Sequence, residues 1–381
     1  MQNVISLLGI FVLLALAWAM SNNRRLFPWR ATLWGLGLQF ILALLLLKTP
    51  WGQKVFEGAR IFVNRLLGFT DVGAEFIWGG IYRTSEELVQ FVNPERGYWQ
   101  VTDSVTGKLV PVGTSFLIHI LPTVIFFSSL MALLYHLGVM QWLIRGMAWI
   151  MRKTMGTSGS ESFSCAANVF VGQTEAPLVI RPYLPTMTRS ELMAVMVGGF
   201  ATVAGGVMAA YVRFGVDAGH LLAASVMSAP AALVVAKIMF PETEESPTRG
   251  QVTLNVEREY ANVLDAAAGG AGVGLRLAAN IGAMLLAFIA LVAMVNYGLG
   301  LVGLSLQQIF GWVFSPIAWV MGVPWSEAAV FGNLLGTKIA VNEFVGYIEL
   351  ITARDAGALS PRSVVIGTYA LCGFANFSSI A

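Results

Sequence analysis

Long apolar stretches separated by short polar ones make up most of the chain. Val4–Met20 and Ala31–Leu47 are each close to the roughly 20 residues that a helix needs to cross a bilayer. Five later stretches have a similar character: Pro111–Leu137, Ser190–Phe214, His220–Phe240, Ala278–Leu304 and Pro361–Ala381. The pattern therefore predicts an all-α polytopic membrane protein.

Two further apolar stretches carry polar residues at their centres. Ser160–Tyr183 contains Gln173–Glu175 followed by Pro177, and Trp325–Thr352 contains Glu343. A carboxylate at membrane depth costs about 2.5–3.5 kcal/mol, and backbone that leaves helical geometry there must be buried in protein or line a wet cavity. Proline lacks an N–H and disfavours helix at the residue before it. Each stretch is predicted to be a re-entrant hairpin with a break, although a surface loop is the alternative for the first.

Composition supports a protein embedded in lipid. The 381 residues are 56% hydrophobic and 12% charged, with a mean hydropathy of +0.71, whereas soluble domains carry roughly 25% charged residues. A net charge of +2 indicates no nucleic-acid partner. The two cysteines lie in apolar segments, which is typical of small core residues and not of a disulfide framework. The three histidines have no metal-ligand spacing, which argues against a zinc site.

Basic residues predict the orientation. No basic residue precedes the first span, and three arginines follow it: Arg24, Arg25 and Arg30. Because cytoplasmic loops are enriched in basic residues, the N-terminus is expected outside.

The moderately polar segment Lys48–Val110 interrupts the apolar pattern. Trp51–Phe69 mixes apolar and charged positions at helical spacing, as an interfacial helix would. Asn93–Lys108 contains turn signals and is predicted to be an external loop. We therefore divide the chain into residues 1–110, a scaffold, and residues 111–381, a transport core.

The glycine-rich run Gly269–Gly274 lacks the preceding strand of a nucleotide-binding loop. It is predicted to be a flexible lead-in to the span Ala278–Leu304.

An internal repeat relates the two interrupted stretches. Ser160-Glu161, Asn168 and Gly172-Gln173 recur in order as Ser326-Glu327, Asn333 and Gly336-Thr337. Arg189-Ser190 and Gly199-Phe200-Ala201 likewise recur as Arg362-Ser363 and Gly373-Phe374-Ala375. Because the hairpins are predicted to enter from opposite faces, the repeat is inverted, which is the plan of secondary transporters with midplane binding sites.

The polar residues of these segments group into a candidate site. Asn376 and Ser379 are three apart and are predicted to share a helix face, as are Glu343 and Tyr347 at a spacing of four. Asn and Ser can also join membrane helices for about 0.6 kcal/mol, so a structural role is the alternative. Glu175 and Glu343 are stronger functional candidates, because intramembrane carboxylates are expensive. Their structural alternative is an ion pair with Lys338 or an arginine.

Three motifs carry a resemblance to a known family: Gly172-Gln173-Thr174-Glu175-Ala176-Pro177-Leu178, Asn342-Glu343-Phe344-Val345-Gly346-Tyr347 and Gly373-Phe374-Ala375-Asn376-Phe377-Ser378-Ser379-Ile380. Together they resemble the concentrative nucleoside transporter family over essentially the whole chain. The resemblance implies a homotrimer in the plasma (inner) membrane that takes up nucleosides of the uridine, cytidine and adenosine class, driven by a sodium gradient. Family protomers have eight spans, so the final span is expected to be missing from this chain.

The resemblance also implies roles for individual residues. Nucleobase contacts would come from the first hairpin and a neighbouring span: Gln173, Thr174, Glu175 and Val207. Ribose hydroxyls would be held by Glu343, Asn376 and Ser379, with Phe374 packed nearby. Sodium would be bound by the side chains of Asn168 and Thr202 and the carbonyls of Val171 and Val203, an all-oxygen neutral shell. Threonine at position 202, where serine is expected, keeps the hydroxyl.

Other functions remain as alternatives. A proton-coupled nucleoside symporter would use Glu175 or Glu343 as the proton carrier. A polytopic membrane enzyme could also bury two glutamates, although the sequence shows no nucleophile–base pair. A passive channel is disfavoured, because channels line pores with rings of groups rather than one asymmetric cluster.

Overall fold

The computed structural model describes residues 2–82, 116–173, 175–248 and 260–379. All regular secondary structure in these ranges is helical. The α-helices are α1 (Gln2–Ala19), α2 (Trp29–Lys48), α3 (Pro50–Trp78), α4 (Leu121–His136), α5 (Val139–Met155), α6 (Gly159–Asn168), α7 (Ala176–Val179), α8 (Arg189–Ala201), α9 (Gly205–Arg213), α10 (Ala218–Met239), α11 (Val263–Gly300), α12 (Leu306–Val320), α13 (Trp325–Ala340), α14 (Glu343–Asp355) and α15 (Pro361–Leu371).

Six helical stretches of the described chain are long and apolar enough to cross a membrane. They are α1, α2, the stretch 117–136, the stretch 189–213, α10 and α11, and they match the first six predicted spans. The seventh, Pro361–Ala381, is different, because its helix ends at Leu371 and gives way to irregular backbone. The first part of the third predicted span, from Pro111, lies outside the described residues.

The predicted interfacial helix is the start of a longer element. Helix α3 runs for 29 residues as far as Trp78, well past Phe69. It begins sharply because Thr49 caps it, accepting a hydrogen bond from the backbone N–H of Gly52, and because Pro50 occupies the first helical position. The predicted external loop Asn93–Lys108 lies outside the described residues.

The glycine-rich run is helical, and its prediction as a flexible lead-in was wrong. Gly269–Gly274 lies inside α11, which packs along α4. A Cβ at Gly270 would lie 2.9 Å from the Ser128 carbonyl oxygen, and one at Gly274 would lie 2.8 Å from the Ile125 Cα. Small residues are used here because they let two apolar helices approach closely.

Four breaks interrupt the helices between α6 and the end of the described chain. They fall between α6 and α7, between α8 and α9 at Thr202–Ala204, between α13 and α14 at Val341–Asn342, and after Leu371. The first and third are the breaks that the sequence predicted in the two hairpins. The second arm of the first hairpin is shorter than expected, since α7 has four residues and is followed by the 3-10 helix Arg181–Thr186. A sharp bend of 116° also separates α12 from α13.

The start of each hairpin is tied to the start of the broken helix that follows it. Glu161, in the first turn of α6, forms a buried ion pair with Lys237 at 2.7 Å, and Ser160 donates to Glu191 of α8 at 3.2 Å. In α13 the Glu327 carboxylate accepts hydrogen bonds from the backbone N–H and the hydroxyl of Ser360, at 3.1 and 3.0 Å. The corresponding positions Ser160-Glu161 and Ser326-Glu327 are those that the internal repeat pairs. Both hairpins are therefore attached through a glutamate at the same repeat position, but the first uses an ion pair and the second uses hydrogen bonds from a serine.

Candidate substrate and ion site

The four breaks meet in the interior of the helical bundle. The backbone N–H of Gly205 donates to the Phe170 carbonyl at 3.0 Å, which joins the first break to the second. The N–H of Phe374 donates to the Thr202 carbonyl at 3.2 Å, which joins the second to the fourth. Lys338 donates to the Ala370 carbonyl at 2.9 Å, beside the third break. Backbone groups released from helical hydrogen bonding thus satisfy one another here.

Glu343 lies at the centre of this junction. It is the first residue of α14, whose N-terminus is capped by Asn342, and it is only 3% exposed. Its Oε2 accepts a hydrogen bond from the Asn376 amide at 2.6 Å, and its Oε1 accepts one from the Tyr211 hydroxyl at 2.9 Å. A helix N-terminus and two donors stabilise a buried carboxylate. The side chain is therefore fixed, with lone pairs left over for further donors.

The sequence predicted that Asn376 and Ser379 share one face of a helix. This prediction was wrong, because the two residues do not lie on one regular helix. Asn376 precedes the single 3-10 turn Phe377–Ser379, and its side-chain oxygen accepts a hydrogen bond from the Ser379 backbone N–H at 2.9 Å. The same amide therefore orders the turn with its oxygen and holds Glu343 with its nitrogen. Asn376 is buried, and Ser379 is half-buried. The two residues are adjacent, but by means of a cap and not a shared helix face.

Gly373 allows the fourth break to approach the second. Its φ of 134° lies in a region that side chains with a Cβ rarely adopt. A Cβ there would also lie 2.8 Å from the Phe200 carbonyl oxygen. The residue must be glycine for the next residue, Phe374, to reach the Thr202 carbonyl.

The residues expected to bind sodium lie at the first and second breaks. Asn168, at the end of α6, is fully buried; its amide nitrogen donates to the Ser164 carbonyl at 3.1 Å, while its Oδ1 has no partner among the described residues. Thr202 is 1% exposed and its hydroxyl donates to the Gly198 carbonyl at 2.8 Å, which leaves the oxygen lone pairs available. Gly198 faces Asn168, since a Cβ there would lie 3.5 Å from the Asn168 amide nitrogen.

This donor set fits a small monovalent cation. A buried acceptor without a partner costs about 1–3 kcal/mol, and a cation would offset that cost. Hard cations prefer oxygen ligands, which side-chain amides, hydroxyls and carbonyls supply. Val171 is half-buried beside Asn168 in the first break, and Val203 is fully buried in the second.

The polar residues of the first hairpin are in a different setting. Glu175 is exposed, and its Oε2 accepts a hydrogen bond from the Gly172 backbone N–H of its own hairpin at 2.7 Å. Gln173 is half-buried and packs on α8, where a Cβ at Gly199 would lie 3.1 Å from the Gln173 Cβ. Thr174 lies outside the described residues. Val207 is buried in α9, and Phe374 is half-buried at the fourth break.

Sequence reasoning missed Tyr211, the second donor to Glu343. The residue lies four positions after Val207 on α9, so the two share a helix face, and that spacing could have indicated it. It also missed the buried network around Glu161, Lys237 and Glu191. The signal there was two capping-box patterns, Ser158 with Glu161 and Thr188 with Glu191, both of which form.

Comparison with known protein families shows which family the chain belongs to. Residues 8–81 and 220–381 match the N-terminal and C-terminal regions described as "Na+ dependent nucleoside transporter", and residues 117–218 match a region described as "Nucleoside recognition". A transporter of Haemophilus influenzae described as uncharacterized is 43% identical over 387 residues, covering 99% of this chain and 87% of that protein. The chain belongs to the concentrative nucleoside transporter family. This is a family of transporters and not of enzymes, and its coupling ion is Na+.

Other relatives of this chain are named more specifically. Sodium/nucleoside cotransporter 1 of Rattus norvegicus is 42% identical over 400 residues. The match covers all of this chain but 57% of the rat protein, so the chain spans little more than half the length of that relative.

A solved structure has the same fold. CNTnw in an inward-facing substrate-bound state superposes with a TM-score of 0.89 at 43% identity, covering 100% of this chain and 88% of that one. Variants of CNTnw have been solved in outward-facing and intermediate states. The all-helical fold of a concentrative nucleoside transporter is thereby confirmed.

Proposed function

We propose that this protein imports nucleosides by symport with sodium. The observation that carries the proposal is the junction of four helix breaks, which contains a buried carboxylate with unused lone pairs and a buried amide oxygen that has no hydrogen-bond partner among the described residues. The first group suits hydroxyl donors and the second suits a cation. Family membership supports the assignment, because the matching family regions are described by sodium dependence and nucleoside recognition.

In this proposal the sugar binds at Glu343, Asn376 and Ser379. Ribose offers hydroxyl donors, and an ionised carboxylate is the strongest acceptor that a side chain supplies. The 2.6 Å contact between Asn376 and Glu343 supports the grouping, because it presents an amide and a carboxylate to the same space. Phe374, two residues before Asn376, supplies an apolar surface beside them.

The nucleobase binds against the first hairpin. Gln173, Thr174 and Glu175 offer an amide, a hydroxyl and a carboxylate, which are the groups that read the edge of a base, and Val207 supplies an apolar wall. The exposure of Glu175 supports a role in contacting a ligand more than a role in packing. Sodium takes Asn168, Thr202 and the carbonyls of Val171 and Val203.

Sodium and sugar are coupled through the backbone. Thr202 and Val203 lie in the second break, and the Thr202 carbonyl accepts a hydrogen bond from the N–H of Phe374, two residues from Asn376. A cation that orders the second break therefore also orders the chain that presents Asn376 to Glu343. This short connection gives each ligand a reason to favour the binding of the other, as symport requires.

Transport follows alternating access around a midplane site between the two hairpins. The states of the relative CNTnw, inward-facing, outward-facing and intermediate, support such a cycle. In this scheme residues 111–381 form the transport core and residues 1–110 the scaffold. The working unit is a homotrimer in the plasma (inner) membrane with the N-terminus outside.

Uptake into proteoliposomes tests this function. Radiolabelled uridine should accumulate above equilibrium when sodium is imposed outside, and it should not accumulate with potassium or choline at the same ionic strength. Accumulation driven by an imposed proton gradient in sodium-free buffer would establish the proton-coupled alternative instead. Conversion of uridine to another product without net uptake would contradict transport altogether.

A further inference from the structure

Tyr211 is a buried tyrosine whose hydroxyl serves the candidate sugar carboxylate. It lies in α9, is 0% exposed, and donates to Glu343 Oε1 at 2.9 Å. Helix α9 belongs to the first half of the repeat and α14, which carries Glu343, to the second. We propose that Tyr211 is a positioning residue that sets the sugar specificity of the site by fixing the Glu343 carboxylate. This inference rests on the proposed function, since it concerns how Glu343 reads a sugar.

The tyrosine ring is itself held in place by neighbours of Glu343. Its centroid lies 4.5 Å from that of Tyr347 and 5.0 Å from that of Phe344, both on α14. Tilted and edge-on ring pairs of this kind are favourable. The donor is therefore part of the same rigid unit as the acceptor. Because a phenol has few rotatable bonds, little conformational freedom is lost in aiming it.

The two hydrogen bonds orient the Glu343 carboxylate but leave some of its acceptor positions unused. Tyr211 occupies one lone pair of Oε1, and Asn376 occupies one of Oε2. An ionised carboxylate offers about four lone-pair positions, so these two side-chain donors leave positions open to a ligand hydroxyl. Two donors on two different oxygens also prevent rotation of the carboxylate plane. The remaining positions consequently point in fixed directions, which is what discrimination between sugar hydroxyls requires.

Tyr347 provides a matched control. It is also fully buried in the same ring cluster, but its hydroxyl donates to the Thr368 carbonyl at 2.9 Å and not to Glu343. Tyr347→Phe therefore removes a buried tyrosine hydroxyl from the same environment without touching the carboxylate. Tyr211→Phe keeps the ring packing and removes only the donor to Glu343.

The test measures dissociation constants for uridine and for its 2′-deoxy and 3′-deoxy analogues, in purified protein at saturating sodium. In Tyr211→Phe the ratio of deoxy-analogue to uridine dissociation constants should fall roughly tenfold, since loss of a charge-assisted hydrogen bond is of that order. Competition by free uracil should not change. In Tyr347→Phe the ratio should stay at the wild-type value, even if this variant loses as much thermal stability as Tyr211→Phe does.

A double-mutant cycle separates positioning from general packing. If Tyr211 acts through the carboxylate, Tyr211→Phe should change sugar discrimination little in a Glu343→Gln background, because its target is already lost. An equal effect in both backgrounds, or an unchanged ratio in Tyr211→Phe, overturns the inference while the proposed function stands. Absence of any sugar discrimination in the wild type overturns the proposed sugar site, and the inference with it.

Discussion

The two hairpin breaks follow segments that the internal repeat relates, but they have different physical settings. Each places a carboxylate at the start of its second arm, Glu175 in one and Glu343 in the other. Glu343 is 3% exposed and is held by donors from two other elements, whereas Glu175 is exposed and accepts from the backbone of its own hairpin. A carboxylate held from several sides can recognise a fixed geometry. A self-capped, exposed carboxylate can adapt, which suits variable bases better than a constant sugar.

The contacts that hold the start of each hairpin also differ between the two hairpins. The first uses a buried ion pair, in which Lys237 also donates to Ser190 at 2.9 Å and contacts Glu242 at 3.4 Å. The second uses the neutral cap Ser360, which donates to Glu327. The hairpin that carries the exposed Glu175 is thus the one whose start is held by a buried ion pair.

The largest effect should come from breaking that buried charge pair. Lys237→Met leaves the Glu161 carboxylate, which is 1% exposed, without its cation. Loss of one partner of a buried pair costs about 3–5 kcal/mol of unfolding free energy. Ser360→Ala removes the hydroxyl that holds Glu327 at the start of the other hairpin, and it should cost about 1 kcal/mol, as loss of a cap does. Thermal unfolding in detergent measures both, and equal losses would show that the two attachments do not differ as described.

Replacing the buried carboxylate should have the next largest effect. A glutamine at 343 can accept from only one of its two donors, Tyr211 or Asn376, so the other faces an N–H group. Glu343→Gln should therefore weaken uridine binding by about ten- to a hundredfold and remove most discrimination against deoxy analogues. Isothermal titration with uridine, its deoxy analogues and uracil measures this. Wild-type affinities for all of them would mean that the carboxylate is structural.

Replacing the exposed carboxylate should have a smaller and different effect. In Glu175→Gln the amide oxygen can still accept from the Gly172 N–H, so the hairpin should keep its shape. Loss of one contact to a base should change affinity by about fivefold. The ranking among uridine, cytidine and adenosine should change, while discrimination against deoxy sugars should not. Competition assays that show the same loss for all three nucleosides would argue against base reading.

Much of this arrangement could be predicted from the pattern of apolar and polar residues. Six spans and two breaks follow from stretches near bilayer length and from polar residues within them, because the cost of polar groups in lipid leaves few alternatives. The helical state of Gly269–Gly274 could not be predicted, since only the neighbouring helix α4 shows that small residues are needed there. The break at Thr202–Ala204 was also missed, because nothing in the local sequence matches the proline signal of Pro177.

The candidate site was predicted in part for the same reason. Glu343 and Asn376 stand out because each is a polar group in apolar sequence. The structure places the Asn376 Nδ2 2.6 Å from the Glu343 Oε2. Tyr211 does not stand out, because a tyrosine in an apolar helix is ordinary until its hydroxyl is seen to reach a carboxylate. The cap that Asn376 forms with Ser379 depends on a turn that helical spacing does not predict.

The central claim is that a cation at the second break and a sugar at Glu343 bind cooperatively through the connection from Thr202 to Phe374. The direct measurement is the uridine dissociation constant at zero and saturating sodium, in the wild type and in Thr202→Val and Asn168→Ala. Sodium should tighten uridine binding about tenfold or more in the wild type, and uridine should tighten sodium binding by the same factor. Both variants should need more sodium while keeping near-normal affinity once it saturates. A uridine affinity that is equal with and without sodium, or a sodium dependence unchanged in both variants, would contradict the account.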